Sequence, residues 1–177
     1  MTEDELISEL HTTRAVRDLR RVYNSVRQQP ELLDWLIDNT WDDDVATNCT
    51  WLIKCHLSGK GQASARQADE ILELLFCVPT WLCQLHLLQS LPHLQVSQSM
   101  KSPLRRHLDE FLLSERKLVR AWTYNALHVL ACQFPEYQRE VEDLLLESLK
   151  TEASSPAARI RALLKQRGIA NLASRES

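Results

Sequence analysis

The chain has 177 residues, 44 % hydrophobic and 25 % charged, enough for one domain with a real core and ordinary for a soluble globular protein. Its net charge of −3 and pI near 6.1 argue against a nucleic-acid protein, which is usually basic. No apolar run approaches the roughly 18 residues of a membrane span. Three glycines, at 59, 61 and 168, are too few for a phosphate-cradling loop or many hairpins. Leu, Ala, Glu, Gln and Arg dominate, so the composition is that of an all-α protein.

The first twelve residues, "MTEDELISELHT", are acidic and polar, whereas a secretory signal needs a basic start and an apolar core; the expected location is the cytoplasm. The first predicted helix runs from about 3 to 28, with Leu6, Leu10, Leu19, Val22 and Val26 as its apolar face. Pro30 can open a new helix. From there the pattern predicts helix pairs: 31–39 with 43–57, 64–76 with 79–91, 103–113 with 116–133, and 137–150 with 156–167. The connectors "SGKGQAS", "LPHLQVSQS", "QFPEY" and "EASSP" carry the turn residues.

A β-branched residue stands near the start of each second helix: Val45, Val78, Val119 and Ile160, spaced by 33, 41 and 41 residues. Three residues after the last three come Trp81, Trp122 and Leu163, and Arg120 and Arg161 follow Val119 and Ile160. A period near 40 suits helix pairs stacked on one another. Trp122 is expected buried between helices, so that truncating it would cost on the order of 3–5 kcal/mol.

The stretch "LDEFLLSERKLVRAWTYNALHVLA" resembles a HEAT repeat, with Leu108, Leu112, Leu113, Val119, Arg120, Ala126 and Leu127 in the places of that pattern. It departs at Ser114, where the family often has Asp, and in the second pair Pro79 stands where the Arg would be. The runs "RAWTYNAL", "EYQREVEDLLLESL" and "ARIRALLK" also resemble small bacterial HEAT-like proteins with no assigned activity. The resemblance implies a right-handed α-solenoid of about four HEAT-like pairs over 30–167, an N-terminal capping helix over 1–29 and a tail over 168–177, in a single domain.

Chemistry is sparse. The six histidines form no HExxH motif and no His-Glu pair, which HEAT-repeat enzymes that hold two irons carry on successive repeats. His56, His86 and His128 recur late in second helices and read as repeat-equivalent edge residues. Five cysteines without a CxxC read as small core residues. Cys132 and His128 stand four apart on one helix and can touch, but no nucleophile motif surrounds them. No metal or cofactor is therefore expected.

Asp38, Asp42, Asp43 and Asp44 read as helix-capping carboxylates; the other reading is an anionic patch or a catalytic Asp. This Trp-Asp segment also resembles DNA glycosylases built on HEAT-like repeats, which would give Trp41, Trp51 and Asp44 an aromatic-plus-carboxylate pocket. The acidic surroundings oppose DNA. Basic clusters stand at Arg14, Arg17, Arg20, Arg21 and Arg27, and at Arg159, Arg161, Lys165, Arg167 and Arg175, as solvated helix faces or as contacts for an acidic partner, a phosphate or the acidic run of a neighbouring molecule.

The function expected is a non-catalytic protein- or peptide-binding scaffold. The alternative is a nucleic-acid-binding or glycosylase-like protein on the same fold. Second helices line the concave side of HEAT stacks, so the resemblance points to Lys117, Arg120, Tyr124, His128 and Arg161 as partner contacts. Arg120 and Arg161 could equally be structural, bonding a neighbouring turn.

Overall fold

The computed structural model describes residues 1–13, 15–78 and 80–168. Arg14, Pro79 and Arg175, with the rest of the tail after Gly168, lie outside the described residues. Regular structure there is entirely helical, with no strand among the described residues. None of these helices is long and apolar enough to cross a membrane.

The helices fall into two compact units, Met1–Met100 and Lys101–Ser177. The first holds α1 (Glu3–Thr12), α2 (Val16–Val26), α3 (Leu32–Asn39), α4 (Ala46–Ser58), α5 (Ala65–Cys77) and α6 (Trp81–Ser90), closed by a 3-10 turn at Leu91–His93. The second holds α7 (Lys101–Leu112), α8 (Lys117–Gln133), a 3-10 turn at Pro135–Tyr137, α9 (Gln138–Ser148) and α10 (Ser154–Gln166).

Within each unit the second helices of successive pairs pack on each other. α4 lies on α6, and α8 on α10, more extensively than any helix lies on its hairpin partner, and α3 also touches α5. The residues that make this possible are apolar at helical spacing. Cys49, Leu52 and Ile53 of α4, Cys83 and Leu88 of α6, Val119, Ala126, Leu127 and Leu130 of α8, and Ile160 of α10 are fully buried. Polar ties link the first helices of the second unit. Arg105 of α7 pairs with Asp109 on its own helix and with Glu140 of α9 at 2.6 Å, and Lys101 reaches Glu136 at 2.7 Å.

Two expectations change. The first concerns the four β-branched markers. All are buried, but they do not hold equivalent helix positions. Val45 precedes the first residue of α4, Val78 follows the last of α5, Val119 is third in α8, and Ile160 is seventh in α10. The spacing registers buried residues, whereas the point where a helix starts is set by caps. Thr80, for example, accepts the amide of Cys83 and so starts α6 after Val78.

The second concerns the single helix over 3–28, which is two helices. α1 begins in a capping box between Thr2 and Glu5 and stops at Thr13, whose hydroxyl turns back onto the carbonyl of Glu9 at 2.8 Å. The break is held from elsewhere in the chain. Asn48 of α4 donates to the carbonyls of Leu10 at 2.9 Å and Thr13 at 3.1 Å, satisfying groups that a helix end leaves free. All five residues read as its apolar face are nevertheless buried, because each half keeps its own helical spacing.

Asn48→Ala should cost about 1–2 kcal/mol, since two carbonyls lose their donor. It should also speed amide exchange in α1 while leaving α4 protected. Unchanged exchange in α1 would show that Asn48 does not hold this break.

Candidate functional site

Three of the five residues expected at a partner surface are spent on internal or neighbouring contacts. Glu152, in the connector before α10, is the centre of one cluster. The Arg120 guanidinium donates through Nε and Nη2 to its two carboxylate oxygens, each at 2.9 Å, and through Nη1 to the carbonyl of Ser114 at 2.7 Å. The Tyr124 hydroxyl donates to Glu152 Oε1 at 3.0 Å, and the backbone amide of Ala153 donates to Oε2 at 3.2 Å. The bidentate fork matches carboxylate geometry. It holds the Glu152 carboxyl below its usual range, chiefly through the hydrogen bond from Arg120, while burial pushes the Tyr124 phenol up. Arg120 thus fastens α8 to the turns on either side of it, which is the structural one of its two expected roles. Glu152 itself had no signal in the sequence, because it lies in a stretch that reads as connector.

His128 is third. Arg167 donates from Nε to His128 Nδ1 at 2.8 Å, and Cys132 Sγ lies 3.7 Å from Nε2. Because Nδ1 accepts, the ring is the neutral tautomer with its proton on Nε2. That nitrogen therefore points a proton at the thiol instead of a lone pair, so it cannot take the thiol proton as a base. Burial, and then the nearby Arg167 charge, also hold the His128 pKa below its ordinary value. The contact between the two is real, but its polarity is wrong for an activated cysteine.

Lys117 and Arg161 are exposed. Beside them lies a feature that the sequence did not reveal, a groove of about 290 Å³ between α8 and α10. Leu118, Ala121 and Trp122 line one wall, and Ala158, Arg159 and Ala162 the other. Trp122 was expected to be buried; it is half-buried, with the Arg159 guanidinium 4.2 Å from its ring centroid as a cation–π cover. Small side chains explain the groove: alanines on both walls leave a furrow that larger residues would fill. Leu118 stays 48 % exposed at its mouth.

The two helices that wall this groove carry charge of one sign. α8 and α10 together carry Lys117, Arg120, Arg159, Arg161 and Lys165 and not one Asp or Glu. Arg120 is neutralised by Glu152, and the other four remain. Lys117 precedes Ala121 by one helical turn, and Arg161 and Lys165 follow Ala158 and Ala162 by three residues each, which sets them along the same walls.

The first unit holds a second cleft, of about 300 Å³, lined by Arg20, Tyr23, Asn24, Trp51, Cys55, Ser58 and Gly59. Trp51 is buried there, with the Lys54 ammonium 5.3 Å from its ring. Asp44 does not line this cleft, and Trp41 stands 63 % exposed on the α3–α4 connector, so Trp41, Trp51 and Asp44 do not share one pocket. The Asp42 side chain accepts the amide of Asp44 at 3.0 Å, forming a turn one step before α4. The expected capping thus acts on the connector, and α4 itself has no side-chain cap.

The other two histidines of the recurring set, His56 and His86, are packed. His56 meets Tyr23 edge-on at 6.3 Å and covers Gly61, where any side chain would collide with its ring. His86 is buried against the hydroxyl of Thr50 at 3.1 Å. Among the described residues no three His, Cys, Asp or Glu side chains gather where they could hold a metal ion. Comparison with known protein families, with curated proteins and with solved structures finds no match to this chain.

Proposed function

We propose that this chain is a non-catalytic protein- or peptide-binding module made of HEAT-like helix pairs, and that the α8–α10 groove receives an acidic segment carrying an apolar anchor. The observation that carries the reading is the groove itself: an apolar floor with an accessible Trp–Arg stack, set between two helices that bear only positive charge. Aromatic and Arg side chains in a small furrow are the groups that most often dominate binding energy, and a one-signed rim selects partners of opposite charge. Pair-on-pair packing within each unit supports the HEAT-like reading. A right-handed solenoid of about four pairs is the arrangement we propose on that basis.

The test is an array of labelled peptides that vary net charge and anchor residue, read by fluorescence anisotropy. Acidic peptides with a Trp or Leu should bind, basic ones should not, and Leu118→Glu should abolish binding. Indifference of every peptide to Leu118→Glu would sink the proposal. Trp122→Ala should reduce stability by only about 1–2 kcal/mol, below the ~3–5 kcal/mol of a fully buried ring, and yet remove most peptide affinity. A labelled DNA duplex, intact or alkylated, should show neither specific binding nor base release at physiological salt, because four cations beside one short groove neutralise few phosphates.

A further inference from the structure

We infer that the groove's occupant is a second copy of this chain, which inserts Trp41 and its flanking aspartates between α8 and α10, so that copies join head to tail. The inference rests on the binding reading above and names its partner. Two surfaces, one in each compact unit, complement each other in shape class and in charge.

The donor surface is the α3–α4 connector. Trp41 is 63 % exposed, and among the described residues no other Trp, Tyr or Phe is exposed. From Gln28 to Ile53 the sequence holds no Lys, Arg or His and six carboxylates: Glu31, Asp34, Asp38, Asp42, Asp43 and Asp44. Some of that charge is answered locally, since Asp34 pairs with Arg66 at 2.7 Å and Asp42 stands 3.5 Å from His11. Asp43 and Asp44 are exposed and follow the indole by two and three residues.

The acceptor surface is the α8–α10 groove. Its floor suits an indole: Ala121, Ala158 and Ala162 leave the space, Leu118 offers an exposed apolar edge, and the Trp122–Arg159 stack offers a second flat face. Its rim supplies Lys117, Arg161 and Lys165 for the carboxylates. A contact between two different surfaces of identical chains is heterologous. Each copy therefore has one connector to give and one groove to fill. One loop in one furrow buries little area, so the association should be weak and transient and weakened further by salt.

The experiment uses the full-length protein in sedimentation velocity over a wide concentration range, at low and high salt. Wild type should show a mean mass that climbs with concentration and that falls as salt is added. Trp41→Arg and Leu118→Glu change exposed positions, so both should fold, which circular dichroism and unchanged melting check. Each alone should weaken association by about thirtyfold or more and sediment as a monomer. Mixed in equal amounts they should form a one-to-one complex and nothing larger, because one retains an intact groove and the other an intact connector. A wild type that stays monomeric at the highest concentration overturns the inference, as does a closed dimer that survives Trp41→Arg, or a mixture that remains monomeric. If these fail while array peptides still bind in a Leu118-dependent way, only the identity of the partner is wrong. If no array peptide binds, the groove reading falls with it.

Discussion

Glu152→Gln should cost about 2–4 kcal/mol, because it removes one member of a largely buried ion pair and leaves its partners in place. The Arg120 guanidinium, 18 % exposed against a Glu152 side chain 10 % exposed, would keep only the carbonyl of Ser114 as a full acceptor. The Tyr124 hydroxyl and the Ala153 amide would compete for what remains. Glu152→Ala should cost more than Glu152→Gln, and Tyr124→Phe less than either, near the 0.5–1.5 kcal/mol of a single hydrogen bond.

The pH dependence has a definite sign. The carboxyl's folded pKa lies below its ordinary value of 4.5, so the unfolded chain binds the proton first. The contribution is fully present above about pH 4.5 and is lost as the pH falls through the lower folded value. Denaturant midpoints of wild type and Glu152→Gln should therefore stay a constant distance apart from pH 8 to 5 and converge at lower pH. Parallel curves down to pH 2 would mean that the pair contributes no charge-dependent stability.

His86 sets the second large effect, in the other unit and at a higher pH. Its ring is 8 % exposed. The Thr50 hydroxyl spends its own proton on the carbonyl of Thr47 at 3.1 Å, so it faces His86 Nδ1 as an acceptor and the proton of the neutral ring sits on Nδ1. Burial, reinforced by the Lys54 charge, pushes the His86 pKa down to about 4. The unfolded imidazole takes its proton near pH 6.5, so stability is complete above that value and falls as the pH drops from 6.5 towards 4. The loss amounts to about 3 kcal/mol from this ring alone, taking ~1.4 kcal/mol per unit of displacement. His86→Gln, which retains a donor towards Thr50, should flatten that part of the stability profile. If wild type and His86→Gln lose stability in parallel between pH 7 and 4, the ring is protonated in the fold and this account of it fails.

Much of the architecture was legible along the chain. Composition and spacing of apolar residues located the helices, and Leu52, Leu72, Leu127 and Ile160 are buried where that spacing puts them. Helix periodicity is a local property, written by residues three and four apart. Caps are local as well. Ser64 with Gln67 starts α5, and Thr2 with Glu5 starts α1, each readable from neighbours three residues away.

What the sequence alone could not carry is every contact made between residues some thirty positions apart. Arg120 stood out as a cation beside a repeat marker, yet whether it would meet a partner or a turn depended on Glu152, thirty-two positions on. His128 and Cys132 were neighbours by spacing, but the direction of their proton was decided by Arg167, thirty-nine positions away. The break between α1 and α2 rests on Asn48, and the accessibility of Trp122 on which residues of α10 stand opposite it. An apolar stripe states only that a face will be covered. The furrow between α8 and α10 exists because alanines from two helices face each other, and side-chain volume across a contact is fixed by tertiary packing alone.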